Sequence, residues 1–397
     1  MRRLEALAIA AIPLACVLGI AAIGTALAIF GTGRTDRTDR TGRTEQTAAA
    51  IQPPSAALQP AAQQPSGPRA RSGGRLRAGA RVPAPAAARA GAESFSIVVL
   101  PDTQMYAERV PCVLVDQARW IAANRDKEQI RFAVHVGDVT NQNTAREWTV
   151  ALYALSLLDV ARIPYALTYG NHDIPNGPQG PGLTPWWMAH YREPRDTSHF
   201  NRYFGLDHAQ TVAGFGGSWP AGTVDNTWFT YQASGWSWLV LCLEFWPRPE
   251  ALSWADGILD AHGANPAIVV THDYLRADAP NATLRSGASL RSTRRSAAGE
   301  RIWKDCLAKH ANVRLVLCGH AVGVGRLTSV GIHGNTVHQL LADYTEVRRT
   351  GASPGMLRLL RFESGRLSVR TLSPFSGEEL TGPDHRFVLE LGRPGEP

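Results

Sequence analysis

Along residues 94–397 the apolar positions fall into two alternating kinds of run. Short continuous apolar stretches bounded by turn residues, at 95–100, 132–136, 165–168, 238–243, 268–270 and 313–317, predict buried strands. Between several of them, apolar residues spaced by three and four at 113–123, 147–160, 252–262 and 302–310 predict helices. This alternation predicts an α/β fold. After Gly323 the pattern turns to short strands without helices, at 336–341, 357–362 and 367–372, so antiparallel pairing is expected to close the C-terminal end. The expectation is one domain over 94–391, with two packed sheets and helices outside. Residues 174–225, rich in Gly, Pro, Trp and His, show little regular pattern, and a loop of that length inside a domain is usually functional or disordered. Its aromatic content favours order. Trp186, Trp187, Tyr191, Trp219 and Trp228 would either wall a site for a sugar, nucleobase or lipid head group or pack sheet edges.

The N-terminus has a different character. Arg2 and Arg3 precede an uncharged apolar run over 6–30, long enough at about 1.5 Å per residue to cross about 30 Å of hydrocarbon. It reads as a membrane-inserting segment. Ala26-Leu27-Ala28 fits a signal-peptidase site, whereas the length of the run favours an uncleaved anchor, so both remain open. Residues 31–93 repeat Arg-Thr-Asp and then turn to Ala, Pro, Gln and Arg, with too few apolar side chains to offset ordering entropy; a disordered tether is expected. The folded part would then be membrane-anchored outside the cytoplasm, or secreted.

Composition enters mainly to exclude. The chain of 397 residues carries a formal charge of +7, which invites a nucleic-acid reading. All of that excess lies in residues 1–93, leaving equal numbers of acids and bases beyond, so no specific nucleic-acid partner is indicated. The five cysteines include no Cys-x-x-Cys pair, and Cys112, Cys242, Cys306 and Cys318 are assigned no chemistry. Gly351-Ala352-Ser353-Pro354-Gly355 has nucleophile-elbow spacing, but Pro354 lacks the N–H an oxyanion hole needs and a strand comes after it instead of a helix. A cysteine-phosphatase loop from Cys318 would need Arg where Val324 stands.

The informative residues stand at the strand ends. Successive strands run into Asp102-Thr103-Gln104, Gly137-Asp138, Gly170-Asn171-His172-Asp173, His272-Asp273 and Gly319-His320. Carboxyl ends of parallel strands gather on one edge, where ligands bind in open α/β sheets. Oxygen and imidazole donors converging there suit Mn, Fe or Zn better than Ca. Taken singly, each is an ordinary turn or polar loop. Five in succession are hard to dismiss.

In this order the motifs resemble those of the calcineurin-like metallophosphoesterase superfamily, over about residues 95–375. The resemblance implies a four-layer α-β-β-α sandwich, two central sheets with flanking helices, and a dinuclear centre that hydrolyses phosphoesters. It implies that Asp138 bridges two divalent ions, that Asp102 holds the first, and that Asn171, His272 and His320 complete the second. It further implies that His172 contacts the phosphoryl oxygens or protonates the leaving group, with Asp173 orienting it. Two positions depart from the usual pattern: Gln104 stands where the first motif has His, and Val322 replaces the second His of the last motif. Both departures fall on the first ion, so one tight and one weak ion are expected, with Gln104 a weak or water-mediated ligand. His135, His333 and His338 are possible substitutes, although ordinary packing suits His135 and His338. Asp343 and Tyr344 are further candidates near the site, or else a strand-end turn. The rival to a phosphoesterase is a catalytically weakened scaffold that binds a phosphorylated ligand; an intact His172 argues against it.

Overall fold

The structure is a computed structural model describing residues 94–175, 195–277 and 293–391. The chain starts in β1 (Phe95–Leu100), passes through the short α1 (Gln104–Arg109) and α2 (Pro111–Ala123), and returns in β2 (Ile130–His135). α3 (Ala145–Val160) and β3 (Tyr165–Leu167) follow. α3 begins two residues before the expected 147 because Thr144 and Glu147 form a reciprocal capping box, Thr144 Oγ1 accepting from Glu147 N and Glu147 Oε2 from Thr144 N. Part of the stretch expected to lack pattern is regular: α4 (Ser198–Phe204), α5 (Leu206–Ala209) and β4 (Phe215–Trp219) lie in it. Helices of seven and four residues are too short to show a period, and β4 carries Gly216 and Gly217.

β5 (Asn226–Ala233), β6 (Trp236–Cys242), α6 (Pro249–Ala261), β7 (Ala267–Val270), β8 (Leu275–Ala277) and β9 (Thr293–Arg295) come next. α7 (Ala297–Asp305) stops at Cys306 and a 3-10 turn replaces the helix expected to run on to 310. β10 (Val313–Cys318), β11 (Gly323–Val330), β12 (Thr336–Asp343), α8 (Val347–Thr350), β13 (Leu357–Glu363), β14 (Arg366–Leu372), β15 (Glu379–Leu380) and β16 (Phe387–Glu390) complete the order.

Two seven-stranded sheets result. One runs β15-β14-β13-β1-β2-β3, with β16 beside β14; β1, β2 and β3 are parallel and the C-terminal strands antiparallel. The other runs β11-β12-β10-β7-β6-β5-β4, with β12, β10, β7 and β6 mutually parallel. The expected antiparallel closure after Gly323 holds for β11 with β12 and for β13 to β16, with one exception. β12 returns parallel to β10, and its carboxyl end joins the same edge as those of β7 and β10.

Alternation along the strands makes the layers. Ile97, Val99, Phe132 and Val134 face Phe229, Val240, Ile268 and Leu315 in a core between the sheets. Val98, Leu100 and Ala133 turn outward onto α2 and α3, while Leu239, Leu241 and Val316 turn the other way onto α6 and α7. Strands buried on both faces read as unbroken apolar runs, which makes them visible in the sequence. Among the described residues no helix is long and apolar enough to cross a membrane. The apolar run over 6–30, the tether over 31–93, and Trp186, Trp187 and Tyr191 lie outside the described residues.

Candidate metal centre

Both sheets deliver their parallel carboxyl ends to one place. From the first come Asp102, Asp138 and Asn171; from the second come His272 and His320. Nε2 of His272 lies 3.2 Å from Asp138 Oδ1, and donor atoms of Asp138, His272 and His320 fall within 4.8 Å of one another. The His320 N–H donates to Asp102 Oδ2 at 3.0 Å. The amide of Gln104 donates through Nε2 to Asp138 Oδ2 at 3.2 Å.

Close approach dictates the glycines. A Cβ on Gly170 would stand 2.1 Å from Asp138 Oδ1 and 2.6 Å from His272 Nε2, and one on Gly319 would stand 1.9 Å from Asp102 Oδ1. Gly137 adopts a φ of +101°, but elsewhere the turn is made by the functional residue itself: Asp138 and His320 take φ of 51° and 70°. Left-handed backbone at non-glycine residues costs free energy and persists where its surroundings impose it.

The donor chemistry fits divalent cations. Asp102 Oδ1, Gln104 Oε1, Asn171 Oδ1 and His272 Nε2 are buried atoms without a hydrogen-bond partner, a costly condition that coordination would relieve. Nδ1 of His272 donates to the Val136 carbonyl at 2.8 Å, which fixes the tautomer and presents Nε2 to the site. Burial, then Asp343 nearby, raises the Asp102 carboxyl well above its ordinary range. Burial works in the same direction on Asp138, yet His272 holds that carboxyl well below its usual value. Burial would lower His272, but the Asp138 and Asp102 charges lift it to about 10; burial and His272 push His320 down to about 4. Carboxylates sharing one low-dielectric site lack compensating positive charge.

Other expected residues fall differently. His172 lines the cleft, and its Nδ1 donates to the Asn141 carbonyl at 2.9 Å. Asp173 does not orient that ring, and this expectation is corrected. Its buried carboxylate clamps two loops together, accepting from Val139 N, Thr140 N, Thr140 Oγ1 and Gly170 N at 2.7 to 3.0 Å. A buried carboxylate among buried amide donors takes them in preference to a ring held elsewhere. Asp343 lines the cleft and accepts from Thr345, but Tyr344 points the other way, bonding His385 and packing with Val324 and Met356. Tyr344 directly follows the last residue of β12, and successive residues of an extended chain turn to opposite sides. His135 uses both ring nitrogens, on Thr103 and Gly137; His338 bonds Thr328 and the Glu390 carbonyl, and His333 bonds the Lys309 carbonyl. None substitutes as a ligand. Trp219 stacks under Arg248 and Trp228 against His262, so these two aromatics pack the β4–β5 edge and do not wall the cleft.

The cleft has a volume of about 750 Å³, and Val322 presents an apolar side chain to it where a histidine would be needed. Sequence reasoning missed Arg276 and Asn141 on its wall. Arg276, on β8, is held by Asp273 Oδ2 at 3.1 Å, an oxygen that also accepts from Trp246 Nε1. Its place three residues after Asp273 is the one signal the sequence offers.

A two-sheet sandwich with acids, an amide and imidazoles meeting at its strand ends defines a candidate metal centre on a mixed α/β scaffold. The profile of the calcineurin-like phosphoesterases matches residues 95–323, more than half of the chain, and the chain belongs to that family. Among curated proteins it is 29% identical over 294 residues to YvnB of Bacillus subtilis, which is described as uncharacterized. That match covers 71% of this chain and 20% of YvnB, so the chain spans about a fifth of the length of that relative. A solved dimetal phosphatase from Danio rerio is 12% identical, covering 75% of this chain and 99% of its own, with a TM-score of 0.46. The NAD nucleotidase of Haemophilus influenzae is 11% identical, covering 76% and 56% respectively, with a TM-score of 0.39.

Proposed function

We propose that the domain over 94–391 hydrolyses a phosphomonoester or phosphodiester with the aid of two divalent ions of Mn, Fe or Zn type, on a chain tethered to a membrane or exported by its N-terminal segment. The observation that carries the reading is the set of four buried, unpartnered donor atoms on Asp102, Gln104, Asn171 and His272, brought to one point by two different sheets. Asp138 would bridge, with Asp102 and Gln104 toward the first ion and Asn171, His272 and His320 toward the second. Ions held by these residues would supply Lewis-acid polarisation of a phosphoryl oxygen and a nucleophilic water at neutral pH. The first set is poorer, since Gln104 offers a neutral amide oxygen and Val322 offers nothing; one ion should bind tightly and the other weakly.

The chain's own side chains do the rest. With its Nδ1–H donated to the Asn141 carbonyl, His172 presents Nε2 to the substrate, and when the ring carries both protons Nε2 donates to a phosphoryl oxygen or passes its proton to the leaving alkoxide. Arg276, fixed by Asp273, places a guanidinium on the cleft wall to meet phosphoryl charge. The test is to strip the purified chain with chelator and assay aryl phosphomonoesters and bis-aryl diesters with Mn, Fe or Zn restored. Metal-dependent turnover is expected. Binding of phosphate without turnover under any of these ions would replace hydrolysis by the reading of a phosphoryl-ligand binder.

A further inference from the structure

A second group of donors lies away from the cleft, at the opposite end of β10. Asp256 on α6, Cys306 at the end of α7 and His310 just before β10 bring a carboxylate oxygen, a thiol sulfur and an imidazole nitrogen within 4.8 Å of one another. Nε2 of His310 stands 2.8 Å from Asp256 Oδ1, while its Nδ1 faces Asp260 Oδ1 at 3.3 Å. Asp256 and Asp260 are one helical turn apart, so both reach the same ring from one face of α6.

We infer that Asp256, Cys306 and His310 form a zinc site separate from the cleft. Three properties single the cluster out. The donors are a thiol that a bound cation would deprotonate, an imidazole and a carboxylate, the S/N/O set zinc takes in four-coordinate sites, with the fourth position left to water. The far nitrogen of the imidazole already has a carboxylate partner in Asp260, the arrangement that orients a metal-binding histidine. Burial is graded: Cys306 is fully buried and His310 nearly so, while Asp256 is part-exposed and gives a path from solvent. On binding, the cation displaces the Cys306 thiol proton and the Nε2 proton shared with Asp256, and both protons go to water. A nucleophilic Cys-His-Asp hydrolase reading fails because no substrate can reach a fully buried sulfur. The ion would pin α6 to the joint between α7 and β10.

Cobalt(II) added to the full chain is a suitable probe, because a thiolate ligand gives a near-ultraviolet charge-transfer band and the cleft is lined by no cysteine among the described residues. The band should saturate at one equivalent of micromolar cobalt and survive Asp138→Asn. It should vanish in Cys306→Ser and weaken at least about tenfold in affinity in Asp256→Asn, a part-exposed position that still tests the site if Cys306→Ser does not fold. Both variants should keep metal-dependent phosphoesterase turnover. No band, a band unaffected by these two substitutions, or one that needs millimolar cobalt would overturn the site.

Discussion

Replacing Asp173 by asparagine separates two roles that the sequence merges. In the structure its two oxygens accept four hydrogen bonds, Oδ2 from Val139 N and Gly170 N, and Oδ1 from Thr140 N and Oγ1. An asparagine keeps one acceptor oxygen. If its NH2 faces Val139 and Gly170, two amide donors lose their acceptor; if it faces Thr140, the hydroxyl turns to accept and only Thr140 N is stranded. Each stranded buried donor costs about 1–3 kcal/mol, and the surviving bonds lose their charge assistance. Against this, burial and the Asp138 charge lift the Asp173 carboxyl to about 6, so removing the charge relieves part of the cost. The balance is a loss of roughly 2–4 kcal/mol, or roughly 3–6 °C in Tm for a domain of this size. Because the clamp joins the Asp138 and Asn171 loops, metal content should fall with it. Thr140→Val, which removes only the hydroxyl donor, should cost about 1 kcal/mol. Thermal melts, metal analysis and pH–rate profiles on the same samples decide the matter. An unchanged Tm and metal content together with a displaced pH–rate profile would refute the clamp and return Asp173 to the His172 ring.

His172→Ala should lower turnover by about 10²–10⁴-fold while leaving bound metal intact, measured by kinetics and elemental analysis in parallel. Gly319→Ala puts a methyl 1.9 Å from Asp102 Oδ1 and should cost about 1–3 kcal/mol and empty the first ion's place, leaving one ion per chain. Manganese titrated into stripped protein should restore activity in two phases of different affinity; a single phase would contradict the unequal ligand sets. His385, whose Nδ1 meets the Tyr344 hydroxyl, is lowered to about 4 by burial and then by Arg358. The folded state therefore refuses a proton that the unfolded chain takes up below pH about 6.5, so stability should fall between pH 6.5 and 4 by up to about 3 kcal/mol. His385→Gln should flatten that slope in chemical denaturation across the same range.

The sequence is most legible where local rules are strong. Six strands buried on both faces stand out as apolar runs, and the polar residues that terminate them, from Asp102 to His320, converge as their order suggests. Legibility fails where the decisive contact is long-range. Nothing near Asp173 says that its acceptors will meet the 139–140 amides and not the neighbouring ring. Tyr344 is as eligible as Asp343 until β12 fixes which of them faces the cleft. β12 itself reads as an antiparallel strand, because parallel and antiparallel neighbours look alike when both faces are covered. Arg276 carries no motif, and its relevance depends on its neighbour Asp273 and on the cleft that the fold builds beside it.

The centre is divided between halves of the molecule: one sheet holds Asp102 and Asp138, the other His272 and His320, and direct stitches across the divide run from His272 to the Val136 carbonyl and from His320 to Asp102. Sliding one layer over the other by a single residue, about 3.3 Å, would open those stitches while every strand kept its own partners. Ion affinity is thus a sensitive gauge of how the layers are seated. Mild damage to the interior, such as trimming Phe132 or Ile268, should register as lost cation before it registers as lost structure.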